Sequence, residues 1–116
     1  SGSLGSAMVR GNRLTSTESL LPAAEIVAVE GCLFDQNDVR VIGGDREGWL
    51  AGYIKGEHAS VANNRLVGTY EKAVFELFTD KEKFSVLGNL RTAPIMVNGT
   101  PDPSLPSPWN ALNVTI

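Results

Sequence analysis

From Val39 to Lys55 the chain reads Val-Arg-Val-Ile-Gly-Gly-Asp-Arg-Glu-Gly-Trp-Leu-Ala-Gly-Tyr-Ile-Lys, two β-prone runs around a charged, glycine-rich turn. No other stretch limits the fold as much. Val39 to Ile42 lead in and Trp49 to Ile54 lead out, while Gly43, Gly44 and Gly48 supply the backbone angles a reversal needs. Trp49, Ala51 and Tyr53 share one strand face at period two. Trp49 is one of two tryptophans, and no other segment offers a core as much apolar area. The expectation is a central hairpin that carries most of the packing.

The flanking sequence is punctuated in the same way. Glu25 to Glu30 is a short β-prone run, broken by Gly31 and followed by the apolar Cys32, Leu33 and Phe34. Asp35-Gln36-Asn37-Asp38 and Asn63-Asn64 are turn signals. Thr69 to Phe78 reads two ways. Tyr70, Ala73, Val74, Leu77 and Phe78 fit a helical stripe with Thr69 as its N-cap. Val74 to Phe78 and Phe84 to Leu87 also fit a hairpin closed by Thr79 to Lys83, and the surrounding meander favours strands. Ile95 to Val97 adds one short strand after Pro94. The expected fold is mainly β: a small single-domain β-sandwich or partly open barrel, with at most one helix at about 69–79 and extended N- and C-terminal arms. The boundaries are an N-terminal arm at 1–22, a β-rich core at 23–98 and a Pro-rich C-terminal arm at 99–116. No internal repeat is read from the residues.

The first arm is small and polar, with Leu4, Met8, Val9 and Leu14 in no period. Such a stretch frays unless the domain or a neighbouring chain holds it. Its opening, Ser-Gly-Ser-Leu-Gly-Ser-Ala-Met, reads as a cloning remnant or as native sequence. It has neither the basic start nor the apolar centre of a secretory signal, so the expected setting is a cytoplasm or a virion. In the second arm Pro101, Pro103, Pro106 and Pro108 fix φ and remove N–H donors, which favours an extended course. The β-prone end that follows makes Trp109, Leu112, Val114 and Ile116 the candidate partner-docking residues.

A chain of 116 residues suits one domain. Its net charge of −3 comes from 10 basic and 13 acidic residues that are interspersed, so no basic stripe points to nucleic acid. No apolar run approaches the ~18 residues of a membrane span. Cys32 is the only cysteine and reads as a buried small hydrophobe, and nothing in the sequence pairs it with the only histidine, His58. Asp35 to Asp38 lack the glycine and terminal glutamate of a calcium loop and read as an ordinary turn. Asp45 and Glu47 fall at one end of the Trp49–Lys55 strand and Glu57 and His58 at the other, so they do not converge for acid–base work. No catalytic, cofactor-binding or metal-ligating residue is assigned, no cofactor is implied, and no enzyme activity is expected. Asn98-Gly99-Thr100 and Asn113-Val114-Thr115 match the glycosylation triplet, a pattern too short to weigh alone.

Asn63-Asn64-Arg65-Leu66-Val67-Gly68-Thr69-Tyr70, with Trp49 one strand earlier, resembles the Gly-Thr-Tyr strand of avidin-type biotin-binding barrels. The likeness covers about a dozen residues, and Trp109 is the one downstream match to the further tryptophans that line biotin in that family. It implies the alternative function, a small-ligand or glycan-binding β-barrel using Trp49, Tyr53 and Tyr70. The leading expectation is structural: a subunit that docks on or assembles into a larger multi-subunit object through its arms. Its partners would be other protein subunits, as a homo-oligomer or larger assembly. A viral or phage capsid-decorating or tail subunit is the concrete version.

Overall fold

The computed structural model describes residues 3–17, 24–42, 52–68, 73–80 and 83–116. The chain lays down one rung after another. The first rung is β1 (Ser3–Arg10) and β2 (Arg13–Thr17), and the second is β3 (Ala24–Asp35) and β4 (Asp38–Ile42). The third is β5 (Gly52–Lys55), β6 (His58–Ala62) and β7 (Arg65–Val67); the fourth is β8 (Phe75–Phe78), β9 (Phe84–Leu87) and β10 (Leu90–Arg91). A closing segment holds β11 (Ile95–Val97), β12 (Thr100–Pro101), 3-10 turns at Asp102–Ser104 and Trp109–Ala111, and β13 (Val114–Thr115). Apart from the antiparallel β11–β12 hairpin, every pairing is parallel and joins one rung to the next. The architecture is a β-solenoid of about three turns.

Three faces run along the stack. The long β3 contributes to two of them, with Ala24–Val27 beside β5 and Gly31–Asp35 beside β6. The first face continues through β8 and β11, the second through β9, and the third is β2, β4, β7, β10 and β13. Because register is kept from rung to rung, inward side chains form columns. Ile26, Ile54, Leu77 and Val97 make one; Val9, Phe34, Val61 and Val86 make another; Leu14, Val39 and Leu66 begin a third. The rings of Phe34 and Phe75 meet across the interior with centroids 5.0 Å apart. Branched aliphatic residues suit this arrangement because each packs on its counterpart one rung away.

The expectation of a sandwich or barrel is therefore corrected. β4 pairs with β2 and β7, and β5 pairs with β3 and β8, so the two runs of the expected central hairpin belong to different faces. β8 and β9 likewise do not pair with each other but with strands of neighbouring rungs. Period and turn residues specify that a strand exists and where it stops. They do not say whether the chain next reverses or coils onward. Within the proposed helix, Phe75–Phe78 is strand β8, with Phe75 and Leu77 inside and Phe78 outside; Thr69 and Tyr70 lie outside the described residues. The stretch read as an N-terminal arm supplies the first rung, held along β3 and β4. The Pro-rich stretch folds over the far end instead of extending away, and Leu105 is buried there.

That end is closed by charge. In the third column the position after Leu66 is Arg91. Its Nε and Nη2 donate to Oδ2 of Asp102 at 3.0 and 2.6 Å, and its Nη1 donates to Oγ1 of Thr115 at 2.7 Å. Asp102 Oδ1 accepts the backbone N–H of Ile95 at 2.9 Å. The two side chains are only 5% and 1% exposed, so neither charge has water as a fallback.

Phe34→Ala should lower the unfolding free energy by about 3–5 kcal/mol in urea titration, the usual range for emptying a buried aromatic site. Asp102→Ala should lower it by about 3–5 kcal/mol because Arg91 is left buried and unpaired, whereas the double replacement Arg91→Met with Asp102→Leu should restore only part of the loss, since the Ile95 N–H stays unpaired in both.

Candidate docking site at the ends of the asparagine stack

Between the second and third faces each rung turns through two residues, and the second is always asparagine. Asn37 Oδ1 accepts the backbone N–H and Nδ2 of Asn12 at 3.0 and 3.2 Å. Asn64 Oδ1 takes the same two groups of Asn37 at 2.8 and 3.1 Å, and Asn89 Oδ1 those of Asn64 at 2.9 and 3.0 Å. Asn113 Oδ1 takes those of Asn89 at 3.2 and 2.8 Å. The second Nδ2 proton points back to the preceding rung: Asn37 to the Val9 carbonyl, Asn64 to Phe34, Asn89 to Val61 and Asn113 to Val86, at 2.9–3.0 Å. The backbone repeats the pattern, since the carbonyls of Asn12, Asn37, Asn64 and Asn89 accept the N–H groups of Asp38, Arg65, Leu90 and Val114 at 2.8–2.9 Å.

The turn sets up this geometry. The residue before each of the first four asparagines has a left-handed backbone: Gly11 and Gly88 at φ 70°, Gln36 and Asn63 at φ 56°. At 88 glycine is needed twice over, because a Cβ there would also collide with the Asn63 side chain. Outward-facing charges lie alongside. Arg10 pairs with Asp35 at 2.9 Å, and Asp38 sits between Arg13 and Arg65 at 4.0 and 3.7 Å. The exposed Asp38 pairs add little stability each, whereas the Asp35 carboxylate of the first pair is buried.

The stack is polar, and its two ends differ. At the first rung Asn12 is exposed, its Oδ1 accepts nothing from the described residues, and Nδ2 turns to its own neighbour's carbonyl at Arg10, 3.1 Å away. Arg13 N–H faces the same open side, by the pattern that Asp38, Arg65, Leu90 and Val114 follow one rung later. Ala7, Val9 and Leu14 are only partly covered, and Met8 is 66% exposed. At the last rung the N–H of Asn113 has no acceptor among the described residues, and β13 pairs on one side only.

The second face carries a surface depression of about 740 Å³, lined by Ser6, Met8, Leu33, His58, Ser60 and Ser85 among others. The His58 imidazole lies over Gly31, in space a side chain at 31 would fill. Cys32 faces inward beneath it, and burial pushes its thiol up to about 11. Among the described residues no three His, Cys, Asp or Glu side chains are grouped to hold a metal ion, and no helix is long and apolar enough to cross a membrane.

Of the residues singled out in the sequence, Leu112, Val114 and Ile116 come together on the last rung, all exposed. Trp109 does not join them; it is half-buried, with its ring 5.6 Å from that of Phe84 over the core. Tyr53 is half-buried on the outer side of β5, edge-on to Phe78 at 6.2 Å, and no barrel interior exists for it to line. Trp49 and Tyr70 lie outside the described residues. The sequence marks Asn37 and Asn64 only as turn residues and Asn113 only as part of a triplet; their ladder, and the Arg91–Asp102 pair, have no local mark. The ladder's signal is an asparagine recurring at separations of 25, 27, 25 and 24 residues. The triplet at Asn113 belongs to this ladder, while that at Asn98 occupies the exposed β11–β12 turn. The chain matches no protein-family model, no curated protein and no solved structure.

Asn64→Ala strands the Asn37 donors and the Phe34 carbonyl in the interior, at about 1–3 kcal/mol for each buried group left unpaired. Its urea midpoint should fall far more than that of Asn12→Ala, whose amide is in water. Cys32 should react with iodoacetamide at pH 8 far more slowly in the native protein than in urea. Similar rates would show that the second face opens freely.

Proposed function

We propose that this chain is a structural unit of a larger β-stack, docking on a further β-rung of a protein partner through the exposed edge of its first rung. One observation carries the reading: Asn12 Oδ1 accepts no hydrogen bond from the described residues, whereas the oxygens of Asn37, Asn64, Asn89 and Asn113 each take two. A matching rung would supply an N–H and an amide Nδ2–H to that oxygen, a carbonyl to Arg13 N–H, and a strand to the free edges of β1 and β2. Edge strands join other chains in this way, with main-chain bonds giving affinity and side-chain columns giving register. Partly covered Ala7, Val9 and Leu14 would be sealed by the same contact. The reading assigns His58 and Cys32 no chemical role.

The test supplies such a rung within the chain. A copy of residues 24–51 joined ahead of Ser3 places its own Asn37 equivalent 24 residues before Asn12, within the native separations of 24 to 27. Amide exchange of residues 3–17 should slow by at least about tenfold, equivalent to about 1.4 kcal/mol. Unchanged exchange in that region, with the added stretch itself unprotected, would remove the first rung as a docking edge.

A further inference from the structure

Resting on that reading, we infer that the rung received at Asn12 is the last rung of a second copy of this chain, so that copies join head to tail. The direction of the ladder selects this arrangement. Every interior step passes an N–H and an Nδ2–H from one asparagine to the Oδ1 of the next along the chain. Among the described residues the first rung offers the unused acceptor, Asn12 Oδ1, and the last offers unused donors, the N–H of Asn113 and the Nδ2–H that does not serve the Val86 carbonyl. The backbone is complementary in the same sense. Arg13 N–H lacks the carbonyl that Asp38, Arg65, Leu90 and Val114 find, and Asn113 is the one ladder residue whose carbonyl receives no such N–H. In the asparagine row two first rungs would set Oδ1 against Oδ1, and two last rungs amide donors against amide donors, so the row continues in register only between unlike ends.

Side chains on the third face agree. Continuing the register of β7, β10 and β13 by one step sets Val114 over Arg13 and Thr115 over Leu14, and carries β13 alongside β2. Val114 and Ile116, 55% and 51% exposed, would gain neighbours on their open side, as Leu90 already has in Arg65 and Val114. The contact pairs β2 alone and leaves the β1 edge open, because the 3-10 turns and exposed Pro103, Pro106 and Pro108 occupy the rest of the end and the prolines lend no N–H to a partner. It uses a different surface on each copy and does not close on itself, so it leads to open chains of copies.

Two end-blocked variants test it by light scattering and native mass measurement. Asn12→Leu with Arg13→Pro removes the acceptor and the donor at the first rung; proline is tolerated at the start of a strand. Asn113→Asp keeps the acceptor for Asn89 but turns the outward donor into an anion. Thr115→Pro is a second tail block should Asn113→Asp fail to fold by circular dichroism. The wild-type chain should gain mass with concentration beyond a dimer, each variant alone should stay monomeric, and an equimolar mixture of the two should form dimers and nothing larger. A tail-blocked variant that assembles like wild type would overturn the head-to-tail arrangement while leaving the first rung as the docking edge. A wild-type chain monomeric up to about 1 mM, some 4.1 kcal/mol of affinity, would rule out the second copy. The extended-chain exchange measurement would then decide the docking reading separately.

Discussion

Each interior ladder asparagine commits all four hydrogen-bonding positions of its amide to the rungs on either side. Oδ1 receives two donors from the rung before, and Nδ2 serves one carbonyl behind and one oxygen ahead. A side chain satisfied this fully can sit in an interior that would otherwise penalise it heavily, and bonds in a continuous row polarise one another. The row also holds register. Sliding a rung by one residue would both empty the amide site and send each apolar column to the outside.

The same principle governs the closed end, with charge in place of amide. A third-face column that would continue with an aliphatic residue ends in a guanidinium, and the chain returns to supply its carboxylate. Asp102 does this while also fixing the Ile95 amide, so one side chain ties the 3-10 turn to the last strands of two faces. Nothing comparable covers the first rung among the described residues, where the core thins out at Ala7, Val9 and Leu14.

How much of this was legible in the sequence varies with the range of the interaction. Short β-prone runs, the turns at Asp35–Asp38 and Asn63–Asn64, and the strand at Ile95–Val97 are local features, and local chemistry marked them. Partner choice is not local: Val39 packs with Leu14 and Leu66 rather than with the run that follows its own turn. The repeat escaped notice because little else recurs with the asparagines. Cys32, Ala59 and Phe84 occupy one column, as do Ser6, Gly31 and His58. Columns need compatible volumes, not identical residues, so aliphatic types interchange along them, while the amide, which must bond to its own kind, is kept at every step of the ladder. Arg91 and Asp102, 11 residues apart, carried no warning that they would meet in the dry interior.

Because each rung touches only its neighbours, the molecule has a mechanical direction. In stacks of this kind stability is close to a sum of nearest-neighbour terms, and loss of structure travels inward from the weaker end. Here the two ends are held differently, the first rung by strand pairing and the Asn12–Asn37 step, the last by a two-residue strand and the buried ion pair. Tension or a protease acting on the first rung can strip it from β3 and β4 one strand at a time, each detachment exposing a fresh edge like the last. The same force applied from Ile116 meets the Arg91–Asp102 lock almost at once, since Thr115 is bonded to that guanidinium. Force applied at either end of the solenoid thus meets a different chemistry first, strand pairing at one and a buried ion pair at the other.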